Sequence, residues 1–333
     1  MTRAELLFSF LEQNHWETAK RIPLASDASS RTYERLIMGE KQAILMNSPL
    51  SERPDQFAYI DKLLRQAGIH APEIMAFDAE NGFMLLEDFG DQTFTRLLQQ
   101  GADELDLYRQ GIDTLIRLQQ KINLPIKGVD LYSFERLMRE VLLLPNWFGK
   151  YVVGGLSDQA VAEFTEIWKH LIQPLTDLPQ SLVLLDYHAD NLMITPGGDC
   201  GVLDFQDARI GPAIYDLMSL LEDERRDVSA EVRNNLIAHY FAARPEIDTP
   251  FVRECLPVMA MQRHTKVIGI FVRLYMRDKK EKYLKMIPLV WELTERHLSN
   301  PVFADYRKWL NTYIPKNLRH SVFQPTEDLQ CSP

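Results

Sequence analysis

The chain predicts a two-lobed α+β fold, with a small, mostly antiparallel sheet and one crossing helix over residues 1–90 and a mostly helical lobe over residues 91–333. Short segments of strand character, set off by turn residues, fill the first part, and beyond Gly90 the apolar spacing changes to the helical period. A hairpin rich in acidic and amide side chains interrupts the helices at residues 182–204 and carries the candidate chemistry.

Residues 1–16 read as an amphipathic helix, opened by Thr2 and Glu5 at capping-box spacing. Strands are expected at 22–25, 32–37 and 42–46, the last two joined by a turn at 38–41. A helix at 54–67 follows, because Pro54 suits a first helical turn and Gly68 the position past a helix end. Strands at 73–77 and 83–87 flank the Asn81-Gly82 turn. Residues 87–91 form a hinge, after which Leu105, Tyr108, Ile112, Leu115 and Leu118 share one helical face. Further helices are expected at 131–144, 158–171, 213–222, 230–241, 251–274 and 279–297. The stretch after Tyr313, with Pro315, Pro325 and Pro333, reads as an extended or loosely docked tail.

With 333 residues, 46% hydrophobic and 25% charged, the chain can bury a substantial core. No apolar run is long enough to span a bilayer and the first helix carries charges throughout, so no membrane association and a cytoplasmic location are expected. Cys200, Cys255 and Cys331 are scattered, which suggests neither a disulfide framework nor a Cys-based zinc site. A net charge of -10 argues against nucleic acid as a partner, since that binding neutralises phosphates with Lys and Arg.

In the hairpin, an apolar run at 182–185 leads to Asp186, Asn191 opens a strand at 192–194, Pro196-Gly197-Gly198 turns the chain, and Val202-Leu203 delivers Asp204. Such an arrangement suits phosphoryl transfer. One carboxylate can sit beside a hydroxyl acceptor while an amide oxygen and a second carboxylate hold Mg²⁺, a hard cation that takes oxygen ligands. His188 lies between these positions without a paired His, so zinc chemistry fits it poorly.

The motifs Asp186-x-His188-x-x-Asn191, Asp204-Phe-Gln-Asp-Ala208 and Gly211-Pro-Ala-Ile-Tyr-Asp-Leu217 resemble the aminoglycoside phosphotransferase and choline kinase family, whose fold is protein-kinase-like. Ser26-Asp-Ala-Ser29 with Arg31 and Tyr33, Gly82-Phe-Met-Leu-Leu-Glu-Asp-Phe-Gly90, Leu220-Leu-Glu-Asp-Glu-Arg-Arg-Asp-Val228 and Gln262-Arg-His-Thr-Lys266 are similar to the bacterial anomeric kinases of N-acetylmuramate and N-acetylglucosamine that serve cell-wall recycling. The resemblance implies an enzyme that moves the γ-phosphoryl of ATP, with GTP not excluded, to a small-molecule sugar with Mg²⁺. Asp186 becomes the catalytic base, Asn191 and Asp204 the metal ligands, and His188 and Asp216 structural supports of the loop.

By the same resemblance, residues 1–90 cover the nucleotide, and residues 91–333 hold the catalytic hairpin and acceptor site. Ser26, Ser29 and Ser30 occupy a phosphate-covering loop that lacks glycine. Glu87 and Phe89 stand at the adenine-binding hinge. Met46 occupies the position of the usual phosphate-binding lysine, so Arg31 is the candidate replacement, ahead of Arg35, and no partner is assigned from Asp55 or Asp61. Asp223, Arg225, Arg226 and Arg263 are candidate acceptor contacts, since Arg recognises a carboxylate such as that of muramate. Two alternatives stand beside this reading: a kinase for aminoglycosides, choline or another small alcohol, and, prompted by Met46, a non-catalytic nucleotide-binding module.

Overall fold

The structure, a computed structural model, describes residues 1–24 and 30–319. By internal contacts the chain forms two compact units, Met1–Pro125 with Leu184–Ala208, and Ile126–Val183 with Arg209–Pro333. The first opens on helix α1 (Arg3–Gln13), where Thr2 accepts from the Glu5 amide at 3.3 Å and Glu5 accepts from the Thr2 amide at 2.8 Å, completing the expected capping box. Strands β1 (Lys20–Pro23), β2 (Thr32–Met38) and β3 (Lys41–Asn47), helix α2 (Pro54–Gln66), and strands β4 (Ile74–Asp78) and β5 (Phe83–Leu86) follow. The strands form one antiparallel sheet in the order β1-β2-β3-β5-β4. Alternation places Ala43 and Leu45 of β3 and Phe83 and Leu85 of β5 in one buried cluster with Leu7, Phe10 and Leu11 of α1.

Helices α3 (Phe94–Gln99) and α4 (Glu104–Lys121) complete this stretch, capped by the side chains of Thr93 and Asp103. The sequence foresaw α4 but not α3, whose six residues are too few to display a period. The second unit begins with α5 (Phe134–Val141), α6 (Asp158–Ile172) and β6 (Gln180–Val183). The chain returns to the first unit for the hairpin of β7 (Leu192–Ile194) and β8 (Cys200–Val202), then continues in the second with β9 (Arg209–Pro212), which pairs antiparallel with β6. Helices α7 (Tyr215–Leu221), α8 (Ala230–Ala243), α9 (Pro250–Asp278), α10 (Ile287–His297), α11 (Ala304–Tyr313) and α12 (Lys316–Arg319) make up the rest.

Three expectations about the second unit change. The helix expected at 131–144 is shorter, and beyond it the backbone widens into a π turn at Leu144–Gly149, where Pro145 has no N–H to donate. The segment expected as helix at 279–297 starts as a 3₁₀ turn, Glu281–Met286, before α10. The tail reading fails as far as residue 319: Ile314 is fully buried, and the buried Arg319 donates to the Ile314 carbonyl at 2.7 Å and to Glu295 at 2.9 Å.

The second unit centres on α9, which is buried on most of its circumference. It carries charge as well as apolar bulk. Lys266 Nζ lies 3.0 Å from Glu140 and 2.6 Å from the Tyr215 hydroxyl. Burial alone would raise the Glu140 carboxyl, but the Lys266 ammonium, with hydrogen bonds from Tyr132 and Arg136, brings it down to about 2. One turn on, Gly269 lets the helix touch backbone, since a Cβ there would stand 2.3 Å from the Leu143 carbonyl carbon. Glycine in an exposed helix interior costs about 1 kcal/mol against alanine, yet here the added methyl meets main chain that cannot step aside. Gly269→Ala is therefore expected to lower stability by about 2 kcal/mol or more in urea unfolding; an unchanged or raised midpoint would contradict this packing.

Candidate active site

The hairpin is positioned by bonds at both ends. Leu192, Met193 and Ile194 pair with Val202, Gly201 and Cys200, and the Val202 amide donates to the His70 carbonyl at 2.9 Å. Gly201 is required by a close approach: a Cβ would lie 2.5 Å from the ring of Phe89. At the open end the Asn191 side-chain amide donates to the Asp186 carbonyl at 3.0 Å and faces His188 Nε2 at 3.2 Å. The Leu203 amide donates to the Asn191 carbonyl at 2.9 Å, which sets Asp204 beside Asn191. Asp186, Asn191 and Asp204, separated in sequence, are thus gathered at one end of a single hairpin.

Backbone strain marks the same place. Leu185, directly before Asp186, has φ +71°, and Asp204 has φ +57°. A bulky residue in the left-handed region costs of order 1–3 kcal/mol and persists only where surrounding contacts impose it. Asp186 and Asp204 are exposed, while the loop between is anchored by the buried Tyr187, whose hydroxyl donates to the Gly111 carbonyl at 2.7 Å. His188 is buried in the loop and Asp216 is fully buried in the first turn of α7.

Asp204 meets two neighbours. Gln206 Nε2 donates to its Oδ1 at 2.7 Å, and the Arg31 guanidinium stands 4.0 Å from the same oxygen. Arg31 is 4% exposed and donates to the Glu52 carbonyl at 2.8 Å. The Ser30 hydroxyl donates to the Glu52 carboxylate, which with burial opposing and Arg31 assisting holds that carboxyl below its usual range. Ser26 and Ser29 lie outside the described residues. Met46 is fully buried mid-sheet, opposite Tyr33 and Met84. Arg35 is committed elsewhere: it grips Asp88 at 2.5 and 3.0 Å, the Gly90 carbonyl at 2.9 Å and Asp91 at 3.0 Å, clasping the hinge segment. In that segment Glu87 faces His70 Nε2 at 3.2 Å and the Glu73 amide at 3.1 Å, and Phe89 is buried edge-on to the His70 ring.

The candidate acceptor residues gather around two buried carboxylates of the second unit. Asp223 is fully buried and accepts from the Arg225 amide at 2.9 Å, while Arg226 is half-buried with its amide on the Asp223 carbonyl at 3.3 Å. Arg263 is 3% exposed, donates to the Tyr215 hydroxyl at 2.8 Å and reaches Glu224 at 3.4 Å. Glu224 is also 3.9 Å from Arg225.

Residues 20–254 match the model of the phosphotransferase enzyme family. The chain belongs to that family. As a member it is an ATP-dependent small-molecule kinase. It is 30% identical to an N-acetylmuramate/N-acetylglucosamine kinase of Caulobacter vibrioides over 93% of this chain and 96% of that protein. It is 35% identical to the enzyme of the same name from Pseudomonas aeruginosa, with 83% of each covered. Among solved structures, a choline/ethanolamine kinase family protein from Mesorhizobium loti superposes with a TM-score of 0.65 at 12% identity, covering 93% of this chain and all (100%) of that one. An ADP-bound aminoglycoside phosphotransferase, APH(2'')-Ib, gives 0.60 at 17% identity, with 88% and 97% covered. These neighbours carry the two-lobed, protein-kinase-like α+β fold over to this family member. No helix among the described residues is long and apolar enough to cross a membrane.

The donor set at the hairpin fits Mg²⁺. The Asn191 amide hydrogens face Asp186 and His188, which leaves its Oδ1 to present, and Asp204 adds a carboxylate, so the available atoms are hard oxygens. Sequence reasoning missed Gln206, whose only signal was a polar residue at a position that is buried. It also left Asp61 unassigned. Asp61 is 4% exposed on α2, and its Oδ1 has no hydrogen-bond partner among the described residues. Burial chiefly, against Arg65 and with Glu73 and Glu87, pushes its carboxyl up to about 7.

An unfolded aspartate ionises near pH 4. Between about pH 4 and 7 the folded state keeps a proton that the unfolded state has released, so Asp61 costs stability increasingly across that window and constantly above it. Asp61→Asn is expected to gain on the parent as pH rises from 4 to 7, by roughly 1–2 kcal/mol after solvent screening. Chemical denaturation across this range checks it, and a difference independent of pH would refute the assignment.

Proposed function

We propose that this kinase phosphorylates the anomeric hydroxyl of an N-acetylated amino sugar, N-acetylmuramate or N-acetylglucosamine, from ATP and Mg²⁺. The near full-length match to the amino-sugar kinases carries the substrate class. In this reading Asp186 takes or orients the proton of the acceptor hydroxyl. The anomeric hydroxyl is more acidic than an ordinary alcohol, which lightens that demand. Asn191 Oδ1 and the Asp204 carboxylate hold Mg²⁺, which when bound neutralises phosphate charge. Gln206 fixes the rotamer of Asp204, and the strained backbone at Leu185 aims Asp186.

Arg31 takes the place of the lysine that Met46 cannot supply. Its support is proximity to Asp204 at 4.0 Å, together with the commitment of Arg35 to the hinge. Ser26, Ser29 and Ser30 remain the proposed phosphate-loop contacts, and Glu87 and Phe89 the hinge at which main-chain groups meet the base. Residues 1–90 then cover the nucleotide and residues 91–333 supply hairpin and acceptor contacts. Arg225 and Arg226, partly exposed, are the proposed partners of a sugar carboxylate, with Asp223 and Arg263 buried behind them as supports. His188 and Asp216 brace the loop. A cytoplasmic setting, where ATP is available, belongs to the same reading.

Two measurements test it. An ATP-consumption assay should show turnover with N-acetylmuramate or N-acetylglucosamine and none with a polycationic aminoglycoside; the reverse pattern would overturn the substrate class. Asp186→Asn should lower kcat by about 10²- to 10⁴-fold with little change in nucleotide affinity. Turnover close to that of the parent would remove the base role.

A further inference from the structure

We propose that Glu222, His264 and His297 form a second metal site, one that binds a divalent transition-metal ion of the zinc class and serves the fold of the second unit. Glu222 caps the C-terminus of α7, His264 lies within α9 and His297 ends α10. Their ligand atoms all lie within 4.8 Å of one another. His297 Nε2 is 3.3 Å from Glu222 Oε1, and His264 Nε2 is 3.8 Å from Glu222 Oε2. Tetrahedral zinc with bonds of about 2.0–2.1 Å separates its ligands by roughly 3.3 Å, so one edge is already formed and small side-chain rotations close the others.

One oxygen of the Glu222 carboxylate lacks a donor among the described residues. Among the described residues Glu222 Oε2 has no hydrogen-bond partner although Glu222 is 3% exposed, and the fully buried His264 has none at Nδ1. Buried polar atoms are nearly always satisfied, and an ion that takes a lone pair of Glu222 Oε2 accounts for the exception there. His264 Nε2 also lies 3.3 Å from the Glu222 carbonyl, a contact the ring exchanges for the ion.

The surroundings suit a ligating carboxylate. Arg233 Nε stands 3.4 Å from Glu222 Oε1, holding one oxygen while the other faces His264. Two imidazoles and one carboxylate favour zinc and its neighbours over Mg²⁺ and Ca²⁺, which prefer all-oxygen sites. Water completes the fourth position on the side of His297, the most exposed ligand at 18%. The ion would pin the ends of α7 and α10 to α9.

The test uses the full-length enzyme, stripped with a chelator and titrated with Zn²⁺ alone against a chromophoric competitor, with thermal melts alongside. One equivalent should bind and raise Tm. His297→Gln and Glu222→Gln should each weaken uptake by about 100-fold or more and abolish the rise in Tm. Should Glu222→Gln fail to fold, His297→Gln, altered at the least buried ligand, carries the decision. Absence of uptake, uptake unchanged in these variants, or uptake removed instead by Asp204→Ala, which would place the ion at the hairpin, each overturns the proposal.

Discussion

In the proposed chemistry Asn191 carries the geometry, because its side-chain amide donates to the Asp186 carbonyl while its main-chain carbonyl accepts from the Leu203 amide. These two bonds tie the main chain at Asp186 and at Leu203, next to Asp204, to the same residue. The side-chain bond also occupies the amide nitrogen and leaves its oxygen as the atom to present. A pre-set cluster of oxygen atoms needs little rearrangement when a cation arrives, which is the condition for electrostatic catalysis. The positive φ at Leu185 and at Asp204 is the conformational cost of this arrangement, tolerated because Tyr187, Gly201 and Gln206 are locked around it.

Charge is distributed with similar economy. Two arginines at and just before β2 have different tasks: Arg35 holds the hinge through Asp88, Gly90 and Asp91, and Arg31 is buried near Asp204. In the second unit, α9 carries Lys266 and Arg263 inward, each beside a carboxylate. Buried ions need such partners because desolvation alone would neutralise or expel them.

Much of this was legible in the sequence. The capping box at Thr2, the turn at Asn81-Gly82, the sheet strands and the hairpin all rest on local rules, and local rules are what a sequence displays. The segments that escaped depend on distant contacts. Strand β9 exists because β6 is available to pair with it, α3 is too short to show a period, and Pro145 turns an expected helix end into a π turn. Arg263 illustrates the same limit at the site. As a sequence position it is one cation among many, and only the fold reveals that Tyr215 and Glu224 enclose it. The pairing of Arg31 with Asp204 likewise joins residues that no spacing rule connects, whereas the motif around Asp186 and Asn191 is compact enough to be read directly.

In the proposed reading Asn191 and Asp204 hold the ion and Asp186 serves the acceptor. A crystal structure of the enzyme with Mg²⁺ and a non-hydrolysable ATP analogue tests it most directly. The ion should lie about 2.0–2.2 Å from Asn191 Oδ1 and an Asp204 carboxylate oxygen, with phosphate oxygens and water completing six ligands and Asp186 off the metal. An ion held through Asp186, or bound to the nucleotide without Asn191 and Asp204, would contradict the account.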